Sequence, residues 1–299
     1  MNVGLFPGQG SLRPGMGTPW VDHPSAVVLD RVAQATEVDV VRLLTVAPFD
    51  ELVRTDNAQL ATYALSSTIA HAIAHRDIEF GLAIGHSLGE YSALAAAQIL
   101  SLEDGALLVR RRGLAMAEAA RQRPGSMAAV LGADEATILT ALRELPDLVV
   151  ANRNAPGQIV VAGPTDQLDV LREQARALGL RKVLPLEVGG AFHSPLMAPA
   201  AESLRGALES TTFAPGRIAV VANVDAAVHD GSADWPALLA EQLTAPVEFA
   251  RSIDGLDDRP ARFIECGPGG VLSGLVGRIR KGATVVGIGT PEDLEALDG

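Results

Sequence analysis

The chain has 299 residues, 48% of them hydrophobic and 20% charged, and a formal net charge of −12. That composition suits one large globular unit or a large one with a smaller insert, and it is unlike disordered or fibrous sequence. The acidic balance argues against nucleic acid and anionic membranes as partners, and no uninterrupted apolar run approaches the ~18 residues of a membrane span, so a cytoplasmic protein is expected. A single cysteine, Cys266, excludes an intrachain disulfide and leaves too little thiol for a metal site. Aromatics are only 4%, so the core must be built from Ala, Val, Leu and Ile.

In chain order, residues 2–6 form a short apolar strand that runs into Pro7-Gly8-Gln9-Gly10-Ser11. A glycine-rich loop at the C-terminal end of a strand is where open α/β sheets place their ligands. Helical spacing covers 26–46 and 57–75. His71 and His75, four apart near the end of the second helix, read as a polar surface edge rather than as a zinc pair.

Residues 80–84 then form a second strand, followed by Gly85-His86-Ser87-Leu88-Gly89 and a helix-forming run over 90–100. This is G-x-S-x-G in a strand-turn-helix context, a nucleophile elbow. The turn exposes a serine hydroxyl and aims the free N–H groups of a helix start at any oxyanion formed by its attack. Ser101 to Asp104 cap another helix, running to about residue 120, which carries Arg110, Arg111 and Arg112. Arg112 shares a stripe with Leu108, Ala115 and Ala119, where an arginine needs an anionic partner or a polar cleft unless it snorkels to the surface.

Arg123-Pro124-Gly125 marks a break. The pattern from 126 to 187 is β-α-β-β-α-β with a Pro156-Gly157 turn, the split-βαβ or ferredoxin-like arrangement, and Gly189-Gly190 returns the chain to the large domain. The expected division is a catalytic domain of residues 1–123 and 193–299 and a subdomain of residues 124–192. His86 is the x of the elbow and points away from Ser87, which leaves His193 as the best candidate base. A helix over 197–209, a strand over 218–223, a helix near 234–243, a strand over 262–265 and a helix over 271–280 complete the pattern.

Phe6-Pro7-Gly8-Gln9-Gly10, Gly85 to Ala93 (GHSLGEYSA), Asn152 to Gln158 (NRNAPGQ), Phe192-His193-Ser194 and Glu265-Cys266-Gly267-Pro268 together resemble the malonyl-CoA:acyl-carrier-protein transacylases, discrete acyltransferases of fatty-acid and polyketide synthesis. The resemblance spans essentially the whole chain, in the family's motif order. It implies an α/β-hydrolase-like domain with the small insert, malonyl-CoA as substrate, no bound cofactor or metal, and an acyl carrier protein as partner. By the resemblance Ser87 is the nucleophile, and His193 the base, oriented by a main-chain carbonyl near Gln242. It likewise gives the N–H groups of Gln9 and Leu88 as the oxyanion hole and Arg112 as the grip on malonate, with Gln59 and Asn154 lining the cleft. Phe192 resembles the residue of malonyl-selective members.

The chain departs from the family where Leu12 follows Ser11 and Leu60 follows Gln59, which bears on polar contacts around the site and not on the reaction. The arginines near 121–123 or 278–281 are candidates for docking an acidic carrier. The same Ser87 and His193 would also serve an acyl hydrolase or a transferase of non-carboxylated acyl groups, both of which Arg112 disfavours, and a non-catalytic scaffold is disfavoured by the intact elbow.

Overall fold

The computed structural model describes residues 1–256 and 262–297. Strand β1 (Asn2–Phe6) leads through a loop to helices α1 (Val27–Thr36), α2 (Val40–Thr45), α3 (Phe49–Leu52) and the long α4 (Thr55–Ala74). Strand β2 (Leu82–Gly85), α5 (Gly89–Ala96) and α6 (Leu102–Gln122) follow. The next segment is β3 (Ser126–Leu131), α7 (Glu135–Arg143), β4 (Val149–Ala155), β5 (Gln158–Gly163), α8 (Thr165–Glu173) and β6 (Lys182–Pro185). The chain closes with α9 (Ala198–Ser210), β7 (Ala219–Val221), β8 (Val228–His229), α10 (Trp235–Gln242), α11 (Phe249–Asp254), β9 (Arg262–Cys266), α12 (Val271–Ile279) and β10 (Thr284–Ile288).

The strands make two sheets. The larger has the order β10-β9-β1-β2-β7-β8, parallel throughout except for β8, which is antiparallel to β7. The smaller is antiparallel, in the order β4-β5-β3-β6. The fold is therefore mixed α/β. Parallel strands buried on both faces read as continuous apolar runs, and β2, fully buried as Leu82-Ala83-Ile84-Gly85, is one.

The small sheet shows the two-residue alternation of a sheet buried on both sides. Val130, Ile159 and Val161 face α7 and α8, together with Ile138, Leu142 and Leu171. Met127, Ala129, Val160 and Ala162 point the other way and join the main core. The contact is reinforced where Arg153 N donates to Val247 O at 2.9 Å and Val247 N to Ala151 O at 2.9 Å.

Several elements differ from the sequence expectation. The single helix expected over 26–46 is two, because Glu37 turns left-handed at φ +56° and Asp39 caps a fresh start by accepting from Arg42 N. The helix after the elbow stops at Ala96, with Gln98 at φ +57°, short of residue 100. Ser101 does cap α6, accepting from Asp104 N at 3.0 Å. Strands β8 and β10 and helices α3 and α11 had no separate reading in the sequence, being short or lacking a distinct period.

The elbow glycines answer to space. A Cβ on Gly85 would lie 2.1 Å from Glu90 N, and one on Gly89 would lie 1.9 Å from Phe6 O. Gly277, in α12, has nothing within 4 Å of the same atom. Gly89→Ala is therefore expected to destabilise by about 3 kcal/mol or to prevent folding, whereas Gly277→Ala should stabilise by about 0.5–1 kcal/mol through its helix propensity. Urea unfolding of the two variants distinguishes these opposite signs.

Candidate active site

Three turns converge at the C-terminal ends of β1, β2 and β7. The first is the elbow itself, where Ser87 sits at φ +53°, a conformation a non-glycine residue adopts only when its surroundings enforce it. The enforcing contacts are visible: Ser87 N donates to Asn223 Oδ1 at 2.7 Å, and Asn223 Nδ2 donates to Gly85 O at 2.8 Å. His193 is left-handed too, at φ +58°, in the loop before α9.

These two backbones bring Ser87 Oγ to 2.7 Å from His193 Nε2. The other ring nitrogen, Nδ1, lies 2.7 Å from Gln242 O. A carbonyl can only accept, so Nδ1 carries the proton and Nε2 is left to take the serine's. His193 is 3% exposed, and burial, together with the positive charge of Arg112, pushes its pKa down to about 3. The imidazole is thus neutral, with Nε2 free to accept a proton.

Arg112 projects from α6 into the same space and is only 1% exposed. Its Nη1 donates to Gln59 Oε1 at 2.6 Å, and its Nη2 to Gln242 Oε1 at 2.8 Å and to Ser87 Oγ at 3.2 Å. The guanidinium carbon stands 5.7 Å from the centre of the Tyr91 ring. Its Nε has no acceptor among the described residues, and none of the ion pairs there includes Arg112. A buried cation held by amides, a hydroxyl and a ring has donors to spare for an incoming carboxylate.

Behind this layer lies Glu90, which is 1% exposed and accepts from Asn223 N at 3.0 Å and from Gln242 Nε2. Burial raises its pKa to about 7 against the lowering pull of those two donors and of Arg112. Gln242 Nε2 also donates to Ser87 O at 2.9 Å, so this one residue touches the Ser87 backbone, His193, Arg112 and Glu90.

The remaining residues singled out in the sequence lie around this cluster. Leu88 N and Gln9 N have no acceptor among the described residues, and the Gly8 backbone lies against the elbow, where an added Cβ would meet His86 O at 3.0 Å. Gln59 is fully buried on Arg112 and also donates to Met116 Sδ at 3.2 Å. Asn154 does not reach Ser87; its Oδ1 lies 2.8 Å from His86 Nε2, which ties the small sheet to the elbow. Phe192 is 4% exposed and packs in the main core.

His193 opens into a cleft of about 570 Å³ between the α7–β4 side of the small sheet and the loops at 193–195 and 244–246, walled by Leu142, Leu148, Val150 and Pro246, with Arg143 and Arg153 also lining it. Among the described residues there is no group of three or more His, Cys, Asp or Glu that could hold a metal ion, and no helix long and apolar enough to cross a membrane.

The family described as "Acyl transferase domain" matches residues 3–288. The chain belongs to this acyl transferase family. It is 38% identical to a malonyl CoA-acyl carrier protein transacylase of Bacillus subtilis, over 97% of this chain and 94% of that one. Among solved structures it is similar to a malonyl-CoA:acyl carrier protein transacylase from Xanthomonas oryzae pv. oryzae, with a TM-score of 0.94, 39% identity, and coverage of 99% and 98% of the two chains. It also superposes, at a TM-score of 0.93 and 30% identity over 98% of this chain and 97% of the other, on a malonyl-transacylase solved with its holo type II PKS acyl-carrier protein.

Two members of the acyl transferase site were not picked out from the sequence. Glu90 appeared only as a letter of the stretch Gly85 to Ala93, and a helix-start glutamate ordinarily faces solvent. Asn223 ends an apolar strand, a position whose only signal is that it falls at the C-terminal edge of a parallel sheet.

The imidazole environment has a direct readout. In a nitrogen-15 titration the His193 ring should stay neutral down to about pH 3, and Arg112→Ala, which removes the nearest positive charge, should move its titration upward. An unchanged midpoint in the variant would mean that burial alone sets it.

Proposed function

We propose that this acyltransferase moves a malonyl group from malonyl-CoA to the phosphopantetheine thiol of an acyl carrier protein, in two half-reactions through an acyl-serine. The observation that carries the reading is Arg112, a buried guanidinium without a carboxylate partner among the described residues, 3.2 Å from the hydroxyl that would be acylated. A site for uncharged acyl groups gains nothing from such a cation and bears the cost of burying it.

In the first half-reaction His193 Nε2 takes the Ser87 proton as Oγ attacks the thioester carbonyl. The resulting oxyanion is held by the N–H groups of Leu88 and Gln9, and the proton passes from His193 to the departing thiolate of coenzyme A. In the second, the carrier's thiol gives its proton to His193, attacks the acyl-serine, and Ser87 leaves with the proton returned. Gln242 O keeps the imidazole in one tautomer through both, in the place an acidic third member takes in other triads. Arg112 fixes the malonyl end, so that the ester carbonyl lies in one geometry.

The same reading covers the finer architecture. The main sheet with the elbow is α/β-hydrolase-like. The strand order β4-β5-β3-β6 of a β-α-β-β-α-β segment suits a ferredoxin-like insert, with 124–192 as the subdomain and 1–123 with 193–299 as the catalytic domain. The chemistry requires no bound cofactor, and its substrates place it in the cytoplasm. Phe192 would help reject a larger branched acyl group such as methylmalonyl, a discrimination worth about 1–3 kcal/mol per methyl. For carrier docking, the patch at 121–123 has the stronger support, since Arg123 Nη1 comes within 3.5 Å of Pro195 O and Pro195 lines the cleft beside His193.

Arg112→Ala is expected to lower kcat/KM for serine acylation by malonyl-CoA about 100-fold, the loss of roughly 3 kcal/mol of charge-assisted hydrogen bonding, while changing acylation by acetyl-CoA far less. Stopped-flow or quenched acylation with both thioesters measures it. Equal losses on the two would remove Arg112 from the role.

A further inference from the structure

Glu90 is a buried ionisable group that the two half-reactions do not use. Its two carboxylate oxygens are both occupied by donors: Asn223 N on one, Gln242 Nε2 on the other. The charged groups acting on it are Arg112 on α6 and Asp225 in the turn after β7. Asp225 is itself paired with His229 Nε2 at 2.8 Å.

The Gln242 amide lies between this acid and the arginine. Its nitrogen faces Glu90 and its oxygen accepts from Arg112 Nη2 at 2.8 Å. An ionised Glu90 therefore selects that orientation of the amide, because turning it over would set carbonyl oxygen against carboxylate and N–H against guanidinium. Gln242 thus links a negative end to a positive end in a site from which water is largely excluded, where such charges are felt strongly.

A second carboxylate arriving at Arg112 changes that balance. With Glu90 ionised, the arginine already has a negative charge acting on it through the amide, and the incoming acyl carboxylate would leave the buried cluster with one net negative charge. With Glu90 protonated, the arginine and the incoming carboxylate neutralise each other.

We propose that Glu90 is a positioning residue that competes, through Gln242, with the acyl group's own carboxylate for Arg112, so that the preference for carboxylated acyl groups depends on whether Glu90 holds a proton. This rests on the malonyl-transfer reading above. Binding of the carboxylated acyl group draws a proton from solvent onto Glu90, while binding of an uncharged acyl group does not. The raised pKa of about 7 places the change within the working range of pH. The sign follows: as pH rises through that value Glu90 ionises, and the preference falls.

The test is the ratio of kcat/KM for serine acylation by malonyl-CoA over acetyl-CoA, measured from pH 5.5 to 9 in the wild type, Glu90→Gln and Arg112→Ala. Taking the ratio cancels the titration of coenzyme A, of His193 and of any group that affects both thioesters alike. In the wild type the ratio should fall about tenfold or more across the range, as expected for unit charges a few ångströms apart in a partly screened site. The fall should vanish in Glu90→Gln, which keeps the side chain's shape without its charge, and in Arg112→Ala, where there is nothing to compete for. A purely structural glutamate would alter both thioesters in parallel and leave the ratio flat. A flat wild-type ratio, or a fall that persists in either variant, overturns the inference. A wild type that takes no acyl group from malonyl-CoA at any pH would instead remove the functional reading on which it rests.

Discussion

Burying a guanidinium without a carboxylate beside it costs several kcal/mol unless polar groups replace the water it gives up, and a small set of buried side chains does so for Arg112. Gln59 from α4, Gln242 from α10 and the Tyr91 ring from α5 supply the replacement, and Glu90 supplies a negative charge one residue further away. These residues come from three helices, with Tyr91 and Glu90 both on α5, so the arginine can be held only when α4, α5, α6 and α10 are packed as they are here. The same packing sets Gln242 O against His193 and the Gln242 amide against Ser87 O. Arg112 and the Ser87–His193 pair are in this sense one structure, held by a shared frame.

The frame is stiff because the backbone around it is constrained. Ser87 and His193 both stand at positive φ, and each is held by bonds that a relaxed loop would not supply. Gly85 and Gly89 let the elbow press against Glu90 and the end of β1, at distances that admit no side chain. The small sheet is drawn into the same assembly through Arg153 and Val247 and through Asn154 on His86, with one of its faces completing the main core. That shared face holds the small sheet in place, since it cannot shift without exposing Met127 and Val160.

Much of this was legible in the sequence. The elbow announced itself because its chemistry needs glycine at fixed offsets around a serine, and the β-α-β-β-α-β run showed because each element was long enough to display a period. Arg112 was suspect because its stripe was apolar, a conflict that periodicity can reveal but not resolve; the structure resolves it in favour of a buried cation. What stayed hidden was whatever depends on two distant segments meeting. Glu90 and Asn223 are 133 residues apart, and nothing local to either indicates that one will accept a bond from the other. The break at Glu37 was likewise invisible, because apolar spacing continues across it and only the backbone turn ends the helix.

The central claim is that Ser87 carries a carboxylated acyl group between two thiols. It is tested most directly by intact-protein mass spectrometry after brief exposure to malonyl-CoA, followed by addition of a holo acyl carrier protein, with Ser87→Ala alongside. The account predicts a single malonyl adduct on the wild type, its absence from Ser87→Ala, and its disappearance from the wild type as an equal amount of malonyl-carrier forms. An adduct that persists in Ser87→Ala, or one that is lost as free malonate while the carrier stays unloaded, would contradict it.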